Sequence, residues 1–407
     1  QEFNLTQTQL GEIAGVGLWP FAISIVLFSL VIDKIGYKTA LYFAFFCHLS
    51  SAIITIFASN YWMLYTGTFI VAIGNGTVEA VVNPVVATMY RHDKTKWLNI
   101  LHAGWPGGLV LGGILALLMG DSIGWEYKIG LILLPTLAYG IMLLNKKFPV
   151  NERVEAGITY REMLSEVGAL GALLISAMIV LQLGAVFSWP LYLNLVLITS
   201  ITVLLGWYTR SWGQPLFIIL LLIMIPLAIT ELGTDSWITD LLTPVMSDIG
   251  LKSGWVLVYT SAIMFVLRFF AGPIVHKISP LGLLAVCSLI AAIGLYFLSG
   301  AAGISILVAA TIYGLGKSFF WPTMLGVVAE RFPKGGALTL NIMGGMGMIA
   351  AGVIGAGVLG FIQDKTIDEK IQAYDRQHQT VIHSTYVTEH KVSLFGSYRA
   401  LNKKELA

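Results

Sequence analysis

Charge is scarce in this sequence: Asp, Glu, Lys and Arg make up 11% of its 407 residues, against roughly 25% in an average soluble chain. So few charges cannot cover the surface of a soluble domain, and 57% of the residues are hydrophobic. The same composition excludes disorder and a collagen-like repeat. A formal net charge of +2 gives no support to a nucleic-acid partner. The two cysteines, Cys47 and Cys287, lie in apolar runs and indicate no disulfide framework.

Motifs of enzyme chemistry are also missing. The sequence has no cluster of metal ligands, no phosphate-binding loop and no nucleophile–base pair at a known spacing. The glycines around Asn75 lie in an apolar context that does not suit a nucleotide. We therefore expect no catalytic residue, no cofactor and no metal, and an ATPase or a membrane hydrolase is disfavoured.

Long apolar runs are what the sequence has instead. A bilayer core of about 30 Å requires about 20 apolar residues per helix, and a transmembrane β-barrel would show short alternating segments. The chain is therefore predicted to be an all-α polytopic membrane protein. Twelve spans are predicted, at residues 11–32, 39–58, 61–89, 97–119, 128–145, 168–186, 190–207, 215–243, 254–275, 281–300, 303–329 and 337–362.

Lysine and arginine predict the orientation, because cytoplasmic loops are enriched in them. The loops between the predicted spans fall into two alternating sets. One set carries thirteen Lys and Arg residues, whereas the short loops of the other set carry only Lys128 and Lys252. The basic set is therefore predicted to face the cytoplasm. Its thirteen basic residues are Lys34, Lys38, Arg91, Lys94, Lys96, Lys146, Lys147, Arg153, Arg161, Arg210, Lys277, Arg331 and Lys334.

An internal repeat relates the two halves of the chain. Residues 29–36 resemble residues 272–279, residues 74–76 resemble 314–316, and residues 98–100 resemble 340–342, at offsets between 240 and 243. Each copy then continues into a glycine-rich helix. Both copies begin on the outside, so they form parallel repeats, the arrangement of the two halves of major facilitator transporters.

Two groups of residues resemble that superfamily. The string Ser29, Asp33, Lys34, Gly36 and Lys38 resembles its signature loop after the second helix. The string from Val78 through Glu79 and Asn83 to Pro84 resembles the fourth helix of the L-fucose permease branch, a group of sugar–proton symporters. Further similarity lies around Asn99, Glu231 and Trp321.

The resemblance implies a major facilitator fold of two parallel helical bundles. Under this alignment the family's first and twelfth helices lie outside the chain, and two extra helices separate the halves. The domains are accordingly predicted as an N-terminal bundle at 1–147, a linker with the extra helices at 148–214, a C-terminal bundle at 215–363 and a polar tail at 364–407.

Glu79 is the predicted proton-coupling residue. It lies eleven residues from Arg91, or about 17 Å along a helix, near the midplane where transporter sites lie. An ionisable group at that depth costs about 3 kcal/mol or more and is by default a functional candidate. The alternative is a glutamate held permanently by a lysine.

Lys317 and Glu231 are the other buried charges of the predicted site. Lys317 stands where relatives usually have a neutral residue, so it is either a cation for the solute or a partner that neutralises Glu79 or Glu231. Glu231 is a candidate site residue or a structural cap. A cationic site would admit sugar acids.

The remaining solute-binding candidates are aromatic and polar residues within spans. Sugars stack their C–H faces on aromatic rings and need several hydrogen-bond donors and acceptors. Packing against lipid or neighbouring helices is the alternative for each tryptophan, and a gate or packing role is open for His102. The candidates are Trp19, Trp105, Trp321, Asn75, Asn83, His102 and Asn341.

The signature loop implies a conformational latch at Asp33, Lys34, Gly36 and Lys38. In the superfamily its acid caps a neighbouring helix end, where a carboxylate is favoured by about 0.3–1 kcal/mol. The second copy has His276 in place of the acid, so we expect a weaker latch there.

The sequence therefore predicts a proton-coupled symporter of a monosaccharide or related small polar solute that works by alternating access. The expected partners are a sugar or sugar acid, a proton with sodium as the alternative coupling ion, and the lipid bilayer, with no nucleic acid and a monomeric state. The expected location is a bacterial inner membrane. An uncoupled facilitator, a drug–proton antiporter and a non-transporting solute sensor are the alternatives.

Overall fold

A computed structural model describes residues 13, 15–120, 123–248, 250–301, 303–387, 389–393 and 396–400. Helices dominate these residues, and a two-stranded antiparallel hairpin lies near the C-terminus. The predicted all-α class is confirmed for the part of the chain that the apolar runs occupy. The beginning of the predicted span 11–32 lies outside the described residues.

The N-terminal half, residues 19–143, consists of seven helices that fold back and forth. Gly76 allows two of them to approach closely, because a Cβ there would lie 2.3 Å from the backbone oxygen of Phe21. The helices are α1 (Trp19–Ile35), α2 (Tyr37–Ile56), α3 (Tyr61–Met89), α4 (Lys94–His102), α5 (Gly104–Met119), α6 (Trp125–Gly130) and α7 (Leu133–Leu143).

A linker and a helical hairpin follow. The short helix α8 (Glu152–Glu155) precedes α9 (Tyr160–Val186) and α10 (Leu191–Thr209). Thr159 and Glu162 form a capping box at the start of α9, which satisfies two free backbone N–H groups at that end.

The C-terminal half, residues 215–355, contains helices that break near the molecular centre. Its π-helical turns lie at Ile229–Gly233 and Ala350–Gly355, and a 3₁₀ turn lies at Pro333–Gly335. The helices are α11 (Pro215–Ala228), α12 (Thr234–Asp248), α13 (Gly254–Arg268), α14 (Ala271–Ile278), α15 (Pro280–Ser299), α16 (Ser305–Lys317), α17 (Phe320–Arg331) and α18 (Gly336–Ile349).

The C-terminal segment begins with α19 (Ala356–His378), which continues across the predicted start of the tail at residue 364. It is followed by α20 (Ile382–Tyr386), β1 (Glu389–Ser393) and β2 (Gly396–Ala400). The two strands pair antiparallel, with Glu389 opposite Ala400 and Ser393 opposite Gly396.

Within the described residues, eight helices are long and apolar enough to cross a membrane, or nine if the bent pair α13 and α14 is one span. That pair bends by 66°. The predicted span 303–329 is divided between α16 and α17, and the span 337–362 passes through a π-helical turn. Breaks in the helices, which apolar runs do not reveal, account for these differences from twelve continuous spans.

The internal repeat is visible in the backbone. Helices α2 and α15 are both 20 residues long and begin 243 residues apart. The residue before each has a positive φ: Gly36 has φ 81° and ψ 148°, and Ser279 has φ 63° and ψ 158°. The two halves thus make the same sharp turn at the same place, although only one of them uses the residue that tolerates it best.

Two hydrogen bonds between the halves lie at positions related by the same repeat. Asn99 Nδ2 donates to Thr323 Oγ1 at 3.2 Å, and Asn341 Nδ2 donates to the backbone oxygen of Ala80 at 3.1 Å. Residues 80 and 323 differ by 243, and residues 99 and 341 differ by 242. The two halves therefore hold each other by a pseudo-symmetric pair of asparagines.

Candidate functional site

A cavity of about 230 Å³ lies between the two halves. The N-terminal half contributes most of the wall, and the C-terminal half closes the opposite side. Five predicted site residues, Asn75, Glu79, His102, Trp105 and Trp321, are brought together here. The other lining residues are Phe21, His48, Val78, Leu232, Arg268 and Met348.

Glu79 faces this cavity from α3. Its Oε1 accepts a hydrogen bond from Asn83 Nδ2 at 3.0 Å and one from Trp321 Nε1 at 3.4 Å, and it lies 3.6 Å from His102 Nε2. The Glu79 side chain keeps 17% of its surface exposed. Among the described residues no lysine or arginine forms an ion pair with Glu79. The structure therefore does not show the alternative, a glutamate held permanently by a lysine.

Helix periodicity explains the polar face of α3. Asn75, Glu79 and Asn83 are four residues apart and share one side of the helix. Asn83 is fully buried, and its Oδ1 lies 3.0 Å from His102 Nε2. It therefore does not line the cavity but fixes Glu79 and His102 relative to each other.

Arg268 is the charged residue of the cavity that the sequence analysis did not select. Its guanidinium donates to Ser318 O at 2.8 Å, to His102 O at 2.5 Å and to Glu231 Oε1 at 2.7 Å. An arginine has five N–H donors, and these bonds use three of them. The available signal was its position inside a predicted span, where an ionisable residue is a functional candidate.

Glu231 lies on the π-helical turn after α11 and is 2% exposed. Its Oε2 accepts from the backbone N–H of Trp321 at 3.1 Å. That N–H belongs to the first turn of α17, where helical N–H groups have no partner of their own. Glu231 therefore caps the start of α17 and pairs with Arg268. Of the two alternatives for Glu231, a site residue or a structural cap, these contacts favour the cap.

Lys317 is fully buried and does not line the cavity. Its ammonium pairs with Asp235 and lies 4.9 Å from the centre of the Tyr313 ring. Its partner is thus neither Glu79 nor Glu231. Lys317, Asp235, Arg268 and Glu231 together form a compensated set of charges in the C-terminal half.

Asn341 and Trp19 also lie away from the cavity lining. Asn341 is fully buried in the contact with Ala80. The Trp19 ring packs edge-on against Phe69, with centroids 5.6 Å apart. In this structure both residues hold helices together.

The predicted latch residues lie at the turn between α1 and α2. Asp33 forms an ion pair with Arg153 of the linker. Among the described contacts, Asp33 does not cap a helix end. Lys34 Nζ lies 5.7 Å from the centre of the Tyr160 ring, and Lys38 Nζ donates to Leu144 O at 2.8 Å. In the second copy, His276 is 68% exposed and lies 3.4 Å from Asp93.

The two halves are in contact near the start of α4 and the end of α17. Lys94 Nζ donates to Glu152 Oε2 at 2.7 Å and to Ala329 O at 3.1 Å. Thr95 Oγ1 donates to Glu330 Oε1 at 2.6 Å. With the orientation predicted from the basic loops, the structure is closed toward the cytoplasm.

Among the described residues no group of three or more His, Cys, Asp or Glu side chains is placed to hold a metal ion. The polar groups of the cavity are instead arranged as single hydrogen-bonding positions around an empty space of small-molecule size. That arrangement suits a solute.

Comparisons with known proteins agree with this fold. The chain is 25% identical to the gentisate transporter of Corynebacterium glutamicum over 219 residues, which are 53% of this chain and 47% of that protein. It thus spans about half the length of that relative.

Solved structures show the same fold. The fucose:proton symporter of E. coli matches with a TM-score of 0.60 at 16% identity, over 88% of this chain and 85% of that one. The proton:xylose symporter matches with a TM-score of 0.63 at 16% identity, over 88% and 81% of the two chains. The family model described as Major Facilitator Superfamily matches residues 1–251, well over half of the sequence. The chain therefore belongs to the major facilitator superfamily.

Proposed function

We propose that this protein is a proton-coupled symporter of a small neutral polar solute of the monosaccharide type, and that Glu79 carries the proton. The observation that supports this most directly is the position of Glu79. Its carboxyl lies on the cavity between the two halves and has neutral amide and indole donors beside it, with His102 nearby.

The balance of charge favours a neutral solute. Arg268 and Lys317 compensate Glu231 and Asp235, which leaves Glu79 as the unbalanced charge near the cavity. Burying an uncompensated charge is costly. A proton on Glu79 neutralises the site, so a neutral solute and one proton can be enclosed together.

The cavity walls suit a sugar ring. Trp105 and Trp321 offer aromatic faces, and Asn75, Glu79 and His48 offer hydrogen-bonding groups. His48 Nδ1 contacts Tyr139 OH at 2.8 Å, and the side chain of Asn75 lies beside the same ring. The volume of about 230 Å³ lies below the roughly 300–1,000 Å³ of pockets for drug-sized ligands, which disfavours a broad drug antiporter.

Alternating access follows from the repeat. The contacts of Lys94 and Thr95 with the C-terminal half close the cytoplasmic side. Transport requires them to break while the outer ends close. The pseudo-symmetric asparagine contacts also join the halves, and they must rearrange as the halves rock about a central site.

A hydroxylated aromatic acid is the second candidate. The similarity to the gentisate transporter favours it, since gentisate is a dihydroxybenzoate. Arg268 lines the cavity with two donors left for a carboxylate. An anionic solute would need a second proton, for instance on His102, to leave the closed site neutral.

The test is a flux assay on the purified protein in proteoliposomes containing a pH-sensitive dye. The panel contains neutral monosaccharides, sugar acids and gentisate. We expect a neutral sugar to enter together with protons, and its accumulation to collapse when the pH gradient is removed. Uptake of gentisate alone, with two protons per molecule, would select the second candidate.

Other outcomes would overturn the proposal. Sugar uptake without a change in pH indicates an uncoupled facilitator, and dependence on sodium indicates a different coupling ion. Efflux of lipophilic cations indicates an antiporter. Binding without flux indicates a membrane sensor.

The proposed location is the inner membrane of a bacterium, and the proposed working unit is a monomer.

A further inference from the structure

Trp321 is placed to contact both acids of the site at once. Its indole Nε1 donates to Glu79 Oε1 at 3.4 Å, and its backbone N donates to Glu231 Oε2 at 3.1 Å. Glu79 belongs to the N-terminal half, while Trp321 and Glu231 belong to the C-terminal half. One residue thus links the proposed proton carrier to the charged set across the interface.

The other contacts complete a closed ring. Asn83 bridges Glu79 and His102 through its two amide atoms, each at 3.0 Å. Arg268 then donates to His102 O at 2.5 Å and to Glu231 Oε1 at 2.7 Å. The ring crosses between the halves twice, at Trp321 with Glu79 and at Arg268 with His102.

The two crossings respond differently to a proton on Glu79. The bond from Arg268 ends on a backbone oxygen, whose ability to accept does not depend on that proton. The bond from Trp321 ends on a carboxylate oxygen, and a charge-assisted bond is roughly twice as strong as a neutral one. A proton on Glu79 therefore weakens the bond from Trp321 and does not change the bond from Arg268.

We propose that Trp321 is a positioning residue that transmits the protonation state of Glu79 to the C-terminal half. This inference rests on the proposed function of Glu79. The indole N–H holds the ionised carboxylate, and the same residue's backbone N–H lies at the start of α17, where Glu231 caps it. When Glu79 takes a proton, the indole is released and the start of α17 is free to shift with its half.

The charged or titratable groups around Glu79 come from four other elements. They are His48 on α2, His102 on α4, Arg268 on α13 and Glu231 on the π-helical turn. Trp321 itself does not titrate. A change in the pH dependence caused by Trp321 therefore reports on its contact with Glu79.

The first test is Trp321→Phe, which keeps an aromatic ring and the backbone N–H but removes the indole N–H donor. Since that donor favours the ionised carboxylate, we expect the pH of half-maximal symport to rise by about half a unit, a roughly threefold change in proton affinity. Trp62→Phe, on the same helix as Glu79 and 68% exposed, is the matched control. A pH profile of Trp321→Phe that superimposes on the parent profile would overturn the proposal.

The second test observes the Trp321 side chain in the parent protein and uses a substitution at Trp321 only to assign its resonance. With 5-fluorotryptophan incorporated, the ¹⁹F resonance of Trp321 is expected to move with pH in the parent protein and to stay fixed in Glu79→Gln. The resonance is assigned by its loss in Trp321→Phe or, if that variant does not fold, in Trp321→Tyr. A resonance that titrates equally in both proteins would refute the contact.

The two proposals fail separately. If Glu79→Gln still accumulates solute against a gradient, the proposed function itself is wrong. If Glu79→Gln loses accumulation but Trp321→Phe leaves the pH profile and the counterflow rate unchanged, only the role of Trp321 is wrong. In the Glu79→Gln background, Trp321→Phe is expected to cause no further shift in the pH dependence of counterflow, because the carboxylate that the indole contacts is already absent.

Discussion

Lys317→Met tests whether the buried lysine is a structural partner. Its side chain is fully buried and pairs with Asp235, whose side chain is 12% exposed. Removing one member of a buried ion pair typically costs 3–5 kcal/mol, because the other charge is left uncompensated. Since Asp235 keeps some exposure, we expect about 3 kcal/mol of destabilisation. Over 407 residues, an unfolding entropy of about 2.1 cal/mol/K per residue converts this into a fall of roughly 3–4 °C in the melting temperature.

The double variant Lys317→Met with Asp235→Asn provides the control. Both charges are then absent, and replacing a buried ion pair by neutral groups is often nearly neutral in free energy. Thermal unfolding in detergent should therefore return to within about 1 °C of the parent value. Flux of neutral and acidic solutes should fall equally in the single variant. A stable Lys317→Met protein that loses acidic solutes selectively would refute the pairing and make Lys317 a solute-binding cation.

Five substitutions test the frame that holds the site. Ser279→Gly should raise the melting temperature. A residue other than glycine at φ 63° and ψ 158° carries about 1–3 kcal/mol of backbone strain, whereas replacing the Ser279 N-cap by glycine costs only a few tenths of a kcal/mol. Gly36→Ala should lower the melting temperature for the same reason. Gly76→Val should prevent recovery of folded protein, since its Cβ would lie 2.3 Å from a backbone oxygen. Asn99→Ala and Asn341→Ala should each cost about 1 kcal/mol in thermal unfolding; unequal losses would contradict their pseudo-symmetric roles.

Much of the fold could be predicted from the sequence because the bilayer imposes its own lengths. Apolar runs locate the helices, and the repeat offset of 240 to 243 relates the halves. The offset changes within one helix pair for a physical reason. Helix α3 is continuous, whereas its counterpart breaks between Lys317 and Phe320, and the extra residues at the break shift the numbering by three.

The site could be predicted only in part. The depth of Glu79 in its span and its position in the family motif predict its role, and the polarity of Asn75 within an apolar run makes it a candidate. Arg268 was missed because its importance comes from partners more than 30 residues away in sequence, His102 and Glu231. Spacing along one helix cannot indicate which distant carboxylate neutralises a buried cation.

The latch shows the same limit. The signature string located Asp33 and Gly36 at the turn after α1, and the positive φ of Gly36 follows from its residue type. The partner of Asp33, however, is Arg153 in a linker that resembles neither half. Local motifs predict backbone shape better than they predict the partners of charged groups.

The most direct measurement of the central claim compares Glu79→Gln with Glu126→Gln in proteoliposomes. Glu126 lies on α6 and does not line the cavity. Solute accumulation driven by a pH gradient should be abolished in Glu79→Gln and retained in Glu126→Gln, while counterflow should persist in both. Accumulation by Glu79→Gln at the parent level would contradict the assignment of this carboxyl as the proton carrier.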